Sequence, residues 1–195
     1  MSGRSYQLGR RRAAVDQTRS AILAAARDLL TEAGPGSSLG KVAEHAGVSR
    51  ITVYNQFGSK AKLFEALAAA ARSNVMRHAA ARDVAPREQL KSRIAQACAA
   101  WAADPALYRR LHQHVSWAGE DAELDRKLAE DLAAGDQLRP GCSIKEAEDV
   151  IGILTSFEAF DRLHKGGRRS PTAVAEILTR MAASTVLIQG PNAYD

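Results

Sequence analysis

The chain has 195 residues, of which only 5% are aromatic, and it carries a formal net charge of +5 at pH 7. This length suffices for one or two domains with a sizeable core, and the scarcity of aromatic and alternating β-branched residues favours helices. No apolar run reaches membrane-spanning length, and residues 1–15 lack the apolar region of a secretory signal. We therefore expect an all-α, cytoplasmic protein that has no membrane partner.

The positive charge is concentrated in the first third of the chain. Residues 1–60 contain nine Lys or Arg and four Asp or Glu, a net charge of +5, so residues 61–195 are balanced. Residues 1–14, with arginines at positions 4, 10, 11 and 12, are predicted to form a disordered basic arm. Two interpretations of this arm stay open, a solubilising tail or a segment that lies along DNA phosphates or in the minor groove. A basic segment beside a neutral remainder is typical of a nucleic-acid-binding domain joined to a body with another role.

Three helices are predicted in the basic third of the chain. The first covers about residues 16–33 and supports the next two. The second covers about residues 39–45, with Ser38 as its N-cap, and Gly47 supplies the backbone freedom of a tight turn. Ser49 then caps the third helix. A helix, a short glycine-containing turn and a second helix form a helix-turn-helix, whose second helix can enter the major groove of DNA.

The third helix combines a buried side with a face crowded by hydrogen-bonding groups. Val53 and Phe57 lie four residues apart and mark the buried side. Arg pairs well with guanine edges, Asn and Gln with adenine, and Thr or Tyr with phosphate oxygens. The alternative is an ordinary solvated polar face, but the caps, the turn and the flanking basic residues favour DNA recognition. We expect base contacts from Arg50, Thr52 and Asn55, and phosphate contacts from Ser38, Tyr54, Gln56 and Lys60.

The same stretch resembles the TetR family of bacterial transcriptional regulators. The resemblance rests on the run Ala43-(x2)-Ala46-Gly47-Val48-Ser49-(x2)-Thr52-Val53-Tyr54-(x2)-Phe57-x-Ser59-Lys60 and covers roughly residues 16–67. It implies a third helix that reads a palindromic operator, a dimer, a regulatory ligand held in the helical body, and a phosphate contact by Lys60. Three positions depart from the family pattern, which usually has Gly at Ile51, an acidic residue at Lys41, and Tyr or His at Gln56.

The remaining chain is predicted to be a helical body. The helix-turn-helix domain is expected over residues 15–62, and the ligand-binding and dimerisation domain over residues 63–195. Capping residues, prolines and glycines divide the body into helices. They are expected over residues 60–81, 86–104, from 105 onward, 121–138, 143–164 and 171–188.

The last two predicted helices indicate a homodimer. The helix over residues 143–164 is apolar on more than one face, so it needs two neighbours to cover it. A second copy of the chain is the simplest source of the second neighbour, and the two copies would form a four-helix bundle about a two-fold axis. We expect the interface at Leu154, Val174, Ile177, Leu178, Met181 and Thr185.

Several apolar and aromatic side chains of the body could line a cavity for a small-molecule effector of unknown identity. A plain hydrophobic core is the alternative for each of them. Aromatic residues with a hydrogen-bonding tip suit either role. The candidates are Ile94, Cys98, Trp101, Leu107, Tyr108, Leu111, His114, Trp117, Phe157 and Phe160.

No pattern in the sequence predicts catalysis, a metal or a cofactor. His112 and His114 are two residues apart, so on a helix they point in different directions, and no third ligand follows at helical spacing. Cys98 and Cys142 are far apart without a CxxC pair, which is typical of reduced cytoplasmic thiols, although a redox-sensing pair stays open. The sequence predicts a DNA-binding transcriptional regulator. The family resemblance implies a repressor released by a small ligand, and an activator would have the same sequence features. The alternative is a ligand-binding or enzymatic helical bundle with a non-functional head.

Overall fold

The structure is a computed structural model that describes residues 3–33, 36, 38–76, 84–115 and 121–188. The predicted all-α class is confirmed. Across the described ranges, the only pairing of extended segments is an isolated antiparallel bridge between Leu138 and Leu187. None of the described helices is long and apolar enough to cross a membrane. The elements are α1 (Gly3–Ala33), α2 (Leu39–His45), α3 (Arg50–Phe57), α4 (Lys60–Met76), α5 (Pro86–Ala103), α6 (Pro105–Leu111), α7 (Ala122–Ala134), α8 (Ile144–Leu154), α9 (Phe157–Asp161), a π-helical turn (Arg162–Gly166) and α10 (Pro171–Thr185).

The chain divides into two compact units. Unit 1 comprises residues 1–72 and 106–116, and unit 2 comprises residues 73–105 and 117–195. The first part of α4 therefore belongs to unit 1, whereas the expected domain boundary lies at residues 62 and 63. The physical reason is the apolar face of α4, on which Leu63 and Phe64 line a small cavity together with residues of α1 and α2.

The apolar faces of α1 to α4 form the core of unit 1. In α1 the spacing of its buried residues follows the three- and four-residue repeat of a helix face. The last buried residues of α3 and the first of α4 flank Gly58, whose φ of 73° favours glycine. The buried side chains of this core include Ile22, Ala26, Leu30, Val42, Ala43, Val53, Phe57, Leu63, Phe64 and Leu67.

The first helix is longer than the sequence pattern indicated. It begins at Gly3, so the expectation of a disordered arm over residues 1–14 is wrong for residues 3–14, and the expected start near residue 16 is too late. The reason is local, because residues 4–14 lack proline and are rich in Arg, Leu, Gln and Ala, which are strong helix formers. Residues 1–2 lie outside the described part of the chain.

Unit 2 is a bundle in which α5 and α8 each contact several neighbours. Helix α5 packs against α7, α9 and α10, and α8 packs against α7, α9 and α10. Trp101 of α5 meets Phe157 of α9 edge-on, with 5.6 Å between the ring centroids. The buried apolar side chains of this bundle include Leu90, Ile94, Ala97, Cys98, Trp101, Leu128, Leu132, Ile151, Leu154, Phe157, Phe160, Val174 and Leu178.

The continuous helix expected over residues 143–164 is wrong, because it breaks after Leu154. The Thr155 hydroxyl donates to the Ile151 carbonyl at 2.9 Å, and Ser156 adopts an extended backbone as the N-cap of α9. Hydroxyl side chains that bond to the nearby backbone compete with helix continuation and favour caps. The interruption turns one long helix into α8, α9 and the π-helical turn.

Two further helices are shorter than expected. Helix α7 ends at Ala134, not near residue 138, and α10 ends at Thr185, not near residue 188. Beyond these ends the two segments bond to each other, since the Arg139 N–H donates to the Val186 carbonyl and the Ile188 N–H donates to the Gln137 carbonyl, both at 2.9 Å. This pairing satisfies backbone groups that helix continuation would otherwise have used.

Candidate nucleic-acid interface

The turn between α2 and α3 has the geometry of a helix-turn-helix. Ser38 caps α2, with its Oγ accepting the Lys41 N–H at 3.3 Å. Gly47, with a φ of 65°, follows the end of α2. The Val48 N–H donates to the Ala43 carbonyl at 2.9 Å, and the Gly47 N–H donates to the Glu44 carbonyl at 3.1 Å. This pair of bonds is the Schellman motif, in which a left-handed glycine ends a helix and redirects the chain.

Helix α3 begins at Ser49, an N-cap whose side chain makes two hydrogen-bond contacts with Thr52. The Ser49 Oγ accepts the Thr52 N–H at 3.0 Å, and the two side-chain oxygens of Ser49 and Thr52 are 2.8 Å apart. This cap satisfies one of the free N–H groups at the start of the helix. It also orients the Thr52 hydroxyl, which keeps capacity for one more hydrogen bond.

The outward face of α3 carries polar side chains that have no hydrogen-bond or ion-pair partner in the described part of the chain. Arg50, Tyr54 and Asn55 are exposed, and no hydrogen bond or ion pair engages their side chains within the described residues. Gln56 is half-buried at the edge of this face. Val53 and Phe57 are buried on the opposite side, as the spacing predicts. Unpaired donors and acceptors on one exposed helix face are what base edges and phosphates require of a protein surface.

Neighbouring helices hold α3 in position. The Arg19 guanidinium of α1 lies 4.5 Å above the Phe57 ring, a cation–π contact with the buried end of α3. Ser59 caps α4, with its Oγ accepting the Lys62 N–H at 3.2 Å. The Lys60 ammonium, in the first turn of α4, lies 5.5 Å from the Phe64 ring centroid. A cation at this helix end is unfavourable against the helix dipole, so its placement beside the interface suits a bound phosphate.

This segment matches a known family. Residues 22–67 match the family model of bacterial regulatory proteins of the tetR family. Over these residues the chain is similar to the TetR family. The predicted resemblance is thereby confirmed, and with it a helix-turn-helix DNA-binding domain of the transcription-regulator type. No curated protein sequence matches the chain significantly.

Solved structures, among them proteins described as TetR-family regulators, share the fold over nearly the whole chain. NalD from Pseudomonas aeruginosa, described as the secondary repressor of the MexAB-OprM multidrug efflux pump, is 22% identical, with a TM-score of 0.67 and coverage of 93% of this chain and 99% of its own. A TetR-family transcription regulator from Marinobacter aquaeolei is 22% identical, with a TM-score of 0.63 and coverages of 91% and 100%. A Rhodococcus regulatory protein of the family is 18% identical, with a TM-score of 0.66 and coverages of 89% and 98%. At these identities the likeness concerns the fold.

The residues expected to line an effector pocket are distributed over both units of the chain. Ile94, Cys98, Trp101, Phe157 and Phe160 are buried in unit 2. In unit 1, Leu107, Tyr108 and Leu111 are buried, whereas His114 is exposed, with its ring 5.6 Å from that of Phe64. Trp117 lies outside the described residues. The Trp101 indole N–H donates to the Thr155 carbonyl at 2.9 Å, so its polar tip already has a protein partner.

The residues expected at a dimer interface fall into two groups. Leu154, Val174 and Leu178 are at most 5% exposed within a single chain, so they belong to the core of unit 2. Met181, in contrast, is 46% exposed, and Thr185 is also exposed, while Ile177 is half-buried. The apolar surface of α8 includes Ile153, which is 64% exposed and which the sequence reasoning did not single out.

The sequence reasoning also missed a buried ionic cluster in unit 2. The Arg93 Nε donates to the Asp125 carboxylate at 3.0 Å, and its Nη2 donates to the Asp121 carboxylate at 2.8 Å. Arg93 and Asp125 are 8% and 4% exposed. The sequence does contain a signal for this cluster. Arg93 lies three residues after Leu90, and Asp125 lies three residues before Leu128, so each falls on the buried face of its helix.

The two cysteines differ in environment, and both are free. Burial raises the pKa of the Cys98 thiol from 9.0 to about 11. Burial, with a smaller contribution from Glu146, also raises the pKa of the half-buried Cys142. Over the described residues, no three His, Cys, Asp or Glu side chains lie together so as to hold a metal ion.

Proposed function

We propose that this protein is a dimeric cytoplasmic repressor that binds a palindromic DNA operator and is released from it by a small-molecule effector. The observation that carries the proposal is the outward face of α3, where exposed polar side chains without partners lie on a capped, well-supported helix. The family and the net charge of +5 on residues 1–60 support the same conclusion. Repression is supported by NalD, whose description names it a repressor.

Within this function, the residues of the head divide into two roles. Arg50, Thr52 and Asn55 contact base edges, because they carry the side-chain groups that match them. Ser38, Tyr54, Gln56 and Lys60 contact phosphates and fix the register of the helix. The Ser38 hydroxyl can do so while it caps α2, since its oxygen accepts the Lys41 N–H and its proton stays available.

The homodimer follows from the requirement for two heads. Two recognition helices fit successive major grooves when they are about 34–36 Å apart, one turn of DNA. The surface proposed for dimerisation is formed by side chains of α8 and α10, chiefly the exposed Ile153, Met181 and Thr185 and the half-buried Ile177. A second copy would cover apolar side chains that a single chain leaves in water.

The effector is proposed to bind in unit 2, next to the aromatic cluster of α5 and α9 around Trp101 and Phe157. A ligand that binds the DNA-incompetent state more tightly than the DNA-binding state lowers operator affinity. The size of this effect is set by the difference between the ligand's binding free energies for the two states, which is typically about 1–3 kcal/mol. No enzymatic activity is part of the proposal.

The experiment is selection of bound sequences from random duplex DNA by the purified protein, followed by titration of the selected duplex at several salt concentrations. We expect a palindromic site and an affinity that falls steeply as salt rises. The double variant Arg50→Ala/Asn55→Ala should lose the preference for this site. Arg126→Ala, which removes an exposed arginine of unit 2, is the charge-matched control and should bind normally. Selection of no sequence above background would refute the function and favour a helical bundle with an inactive head.

A further inference from the structure

Ile51 is the most exposed large apolar side chain among the residues whose burial the structure describes, at 71% of its full accessible area. It lies within α3, between Arg50 and Thr52. An isoleucine in the middle of a polar helix face therefore needs a physical explanation.

The helical geometry places Ile51 at the centre of the outward face. Successive residues of an α-helix are rotated by about 100°, so Val53 and Phe57 define a buried direction, and Ile51 and Asn55 lie on the opposite side. These two residues are four apart and are neighbours on the helix surface. Ile51 thus stands beside the amide that we propose to contact a base.

Neither folding nor helix formation accounts for this isoleucine. Its side chain is left in water, so it contributes little burial to the core. Its branched Cβ also makes it a poorer helix former than alanine. Its neighbours on this face include the polar Thr52 and Asn55 and the cationic Arg50, whose charge complements DNA.

The major groove of DNA has one apolar feature, the C5-methyl group of thymine. We propose that Ile51 contacts a thymine methyl in each operator half-site and is a specificity-determining residue, next to the base that Asn55 reads. This inference rests on the proposed DNA-binding function and deepens it. It predicts part of the operator, namely a thymine at a fixed distance from the position that Asn55 reads.

The test uses the duplex selected by the wild-type protein, with each thymine replaced in turn by deoxyuridine, which lacks only the methyl group. We expect one position per half-site at which the replacement weakens wild-type binding about threefold to tenfold. Ile51→Ala should bind the unmodified duplex more weakly by a similar factor and should no longer respond to deoxyuridine at that position. Ile51→Val should keep most of the response, because it retains a branched apolar side chain.

Ile144→Ala is the matched control, since it removes an exposed isoleucine from the start of α8 without touching the head. It should respond to deoxyuridine as the wild type does. Helical content of the Ile51 variants should be unchanged, because the side chain is exposed. A selected site without thymine in its half-sites, or equal deoxyuridine responses in wild type and Ile51→Ala, would overturn the inference and leave the proposed function standing. Absence of any selected sequence would overturn both.

Discussion

The side-chain oxygens of Ser49 and Thr52 lie 2.8 Å apart at the start of α3. The same Ser49 oxygen accepts the Thr52 N–H at 3.0 Å. One residue therefore starts the recognition helix and holds the hydroxyl of a residue that we propose to contact a base. Stability and DNA recognition are coupled in this pair, and substitutions at Ser49 can separate them.

Replacing Ser49 by alanine removes the cap. We expect the free energy of unfolding to fall by about 1 kcal/mol, as is typical for loss of a serine cap. Ser49→Asp should restore most of that stability, because aspartate caps helices well, but it should weaken DNA binding by placing a negative charge near phosphates. The measurements are urea unfolding and operator affinity. Equal DNA affinity in Ser49→Asp and wild type would show that the start of α3 does not approach DNA.

Arg50 and Lys60 should affect DNA binding in different ways. Arg50→Ala should relax base preference at one position of each half-site, because a bidentate arginine–guanine contact contributes about 1–3 kcal/mol of discrimination. Lys60→Ala should weaken binding to all sequences alike and reduce the salt dependence by about one phosphate contact. Affinities for the selected site and for scrambled duplexes, over a salt series, distinguish the two. If Arg50→Ala lost affinity equally for the selected site and for the scrambled duplexes, Arg50 would not contact a base.

The two α10 residues Leu178 and Met181 should respond differently to a charge. Met181 is 46% exposed in one chain, so Met181→Glu should leave the fold intact but place an uncompensated charge in the proposed interface. We expect a folded monomer that binds the operator poorly. Leu178 is 1% exposed, so Leu178→Glu should unfold unit 2 itself. Sedimentation and circular dichroism measure both effects, and a dimeric Met181→Glu protein with normal affinity would place the interface elsewhere.

Breaking the Arg93 cluster should be strongly destabilising. Arg93→Met removes the guanidinium that donates to the buried Asp125 carboxylate, and breaking a buried ion pair in this way costs about 3–5 kcal/mol. Adding Asp125→Leu should recover a large part of that stability, since the double variant leaves no unpaired charge at this pair. Urea unfolding of the single and double variants measures the coupling. Additive effects of the two substitutions would mean that the pair does not act as a unit.

The Cys98 thiol should make stability fall at alkaline pH. Its pKa is about 11 in the folded protein against 9.0 for an ordinary thiol, so above pH 9 the unfolded chain releases a proton that the folded chain retains. The part of the folding stability that depends on the neutral Cys98 thiol is complete below pH 9 and is lost as the pH rises towards 11. The free energy of unfolding falls over this range by up to about 2–3 kcal/mol. Cys98→Ala should flatten the pH dependence of the unfolding free energy relative to Cys142→Ala. An identical slope in both variants would contradict this expectation.

Much of the head could be predicted from the sequence because its signals are local. The caps at Ser38 and Ser49 and the turn at Gly47 each depend on bonds to residues no more than five positions away. Hydrogen bonds of this range leave a recognisable pattern in residue types. The start of α1 was predicted wrongly, because a cluster of arginines is compatible with both a solvated arm and a helix.

The break at Thr155 and Ser156 was not predictable in the same way. Hydroxyl residues in an apolar run occur both inside helices and at caps. Here the freed Thr155 carbonyl accepts the indole N–H of Trp101, which is 54 residues away in the chain. Only the packing of α5 against this segment makes the interrupted form favourable, because it supplies a partner for a buried carbonyl.

The sequence by itself determined the fold class, the resemblance to the TetR family and the position of the helix-turn-helix, because helix periodicity, caps and turn glycines act over a few residues. The tertiary structure alone decided which apolar face of α10 is buried, and it brought Arg93 to carboxylates 28 and 32 residues away. It also decided that Ile51 remains in water. These outcomes depend on which helices pack together, and burial is set by the neighbours of a residue in space, whatever their separation along the chain.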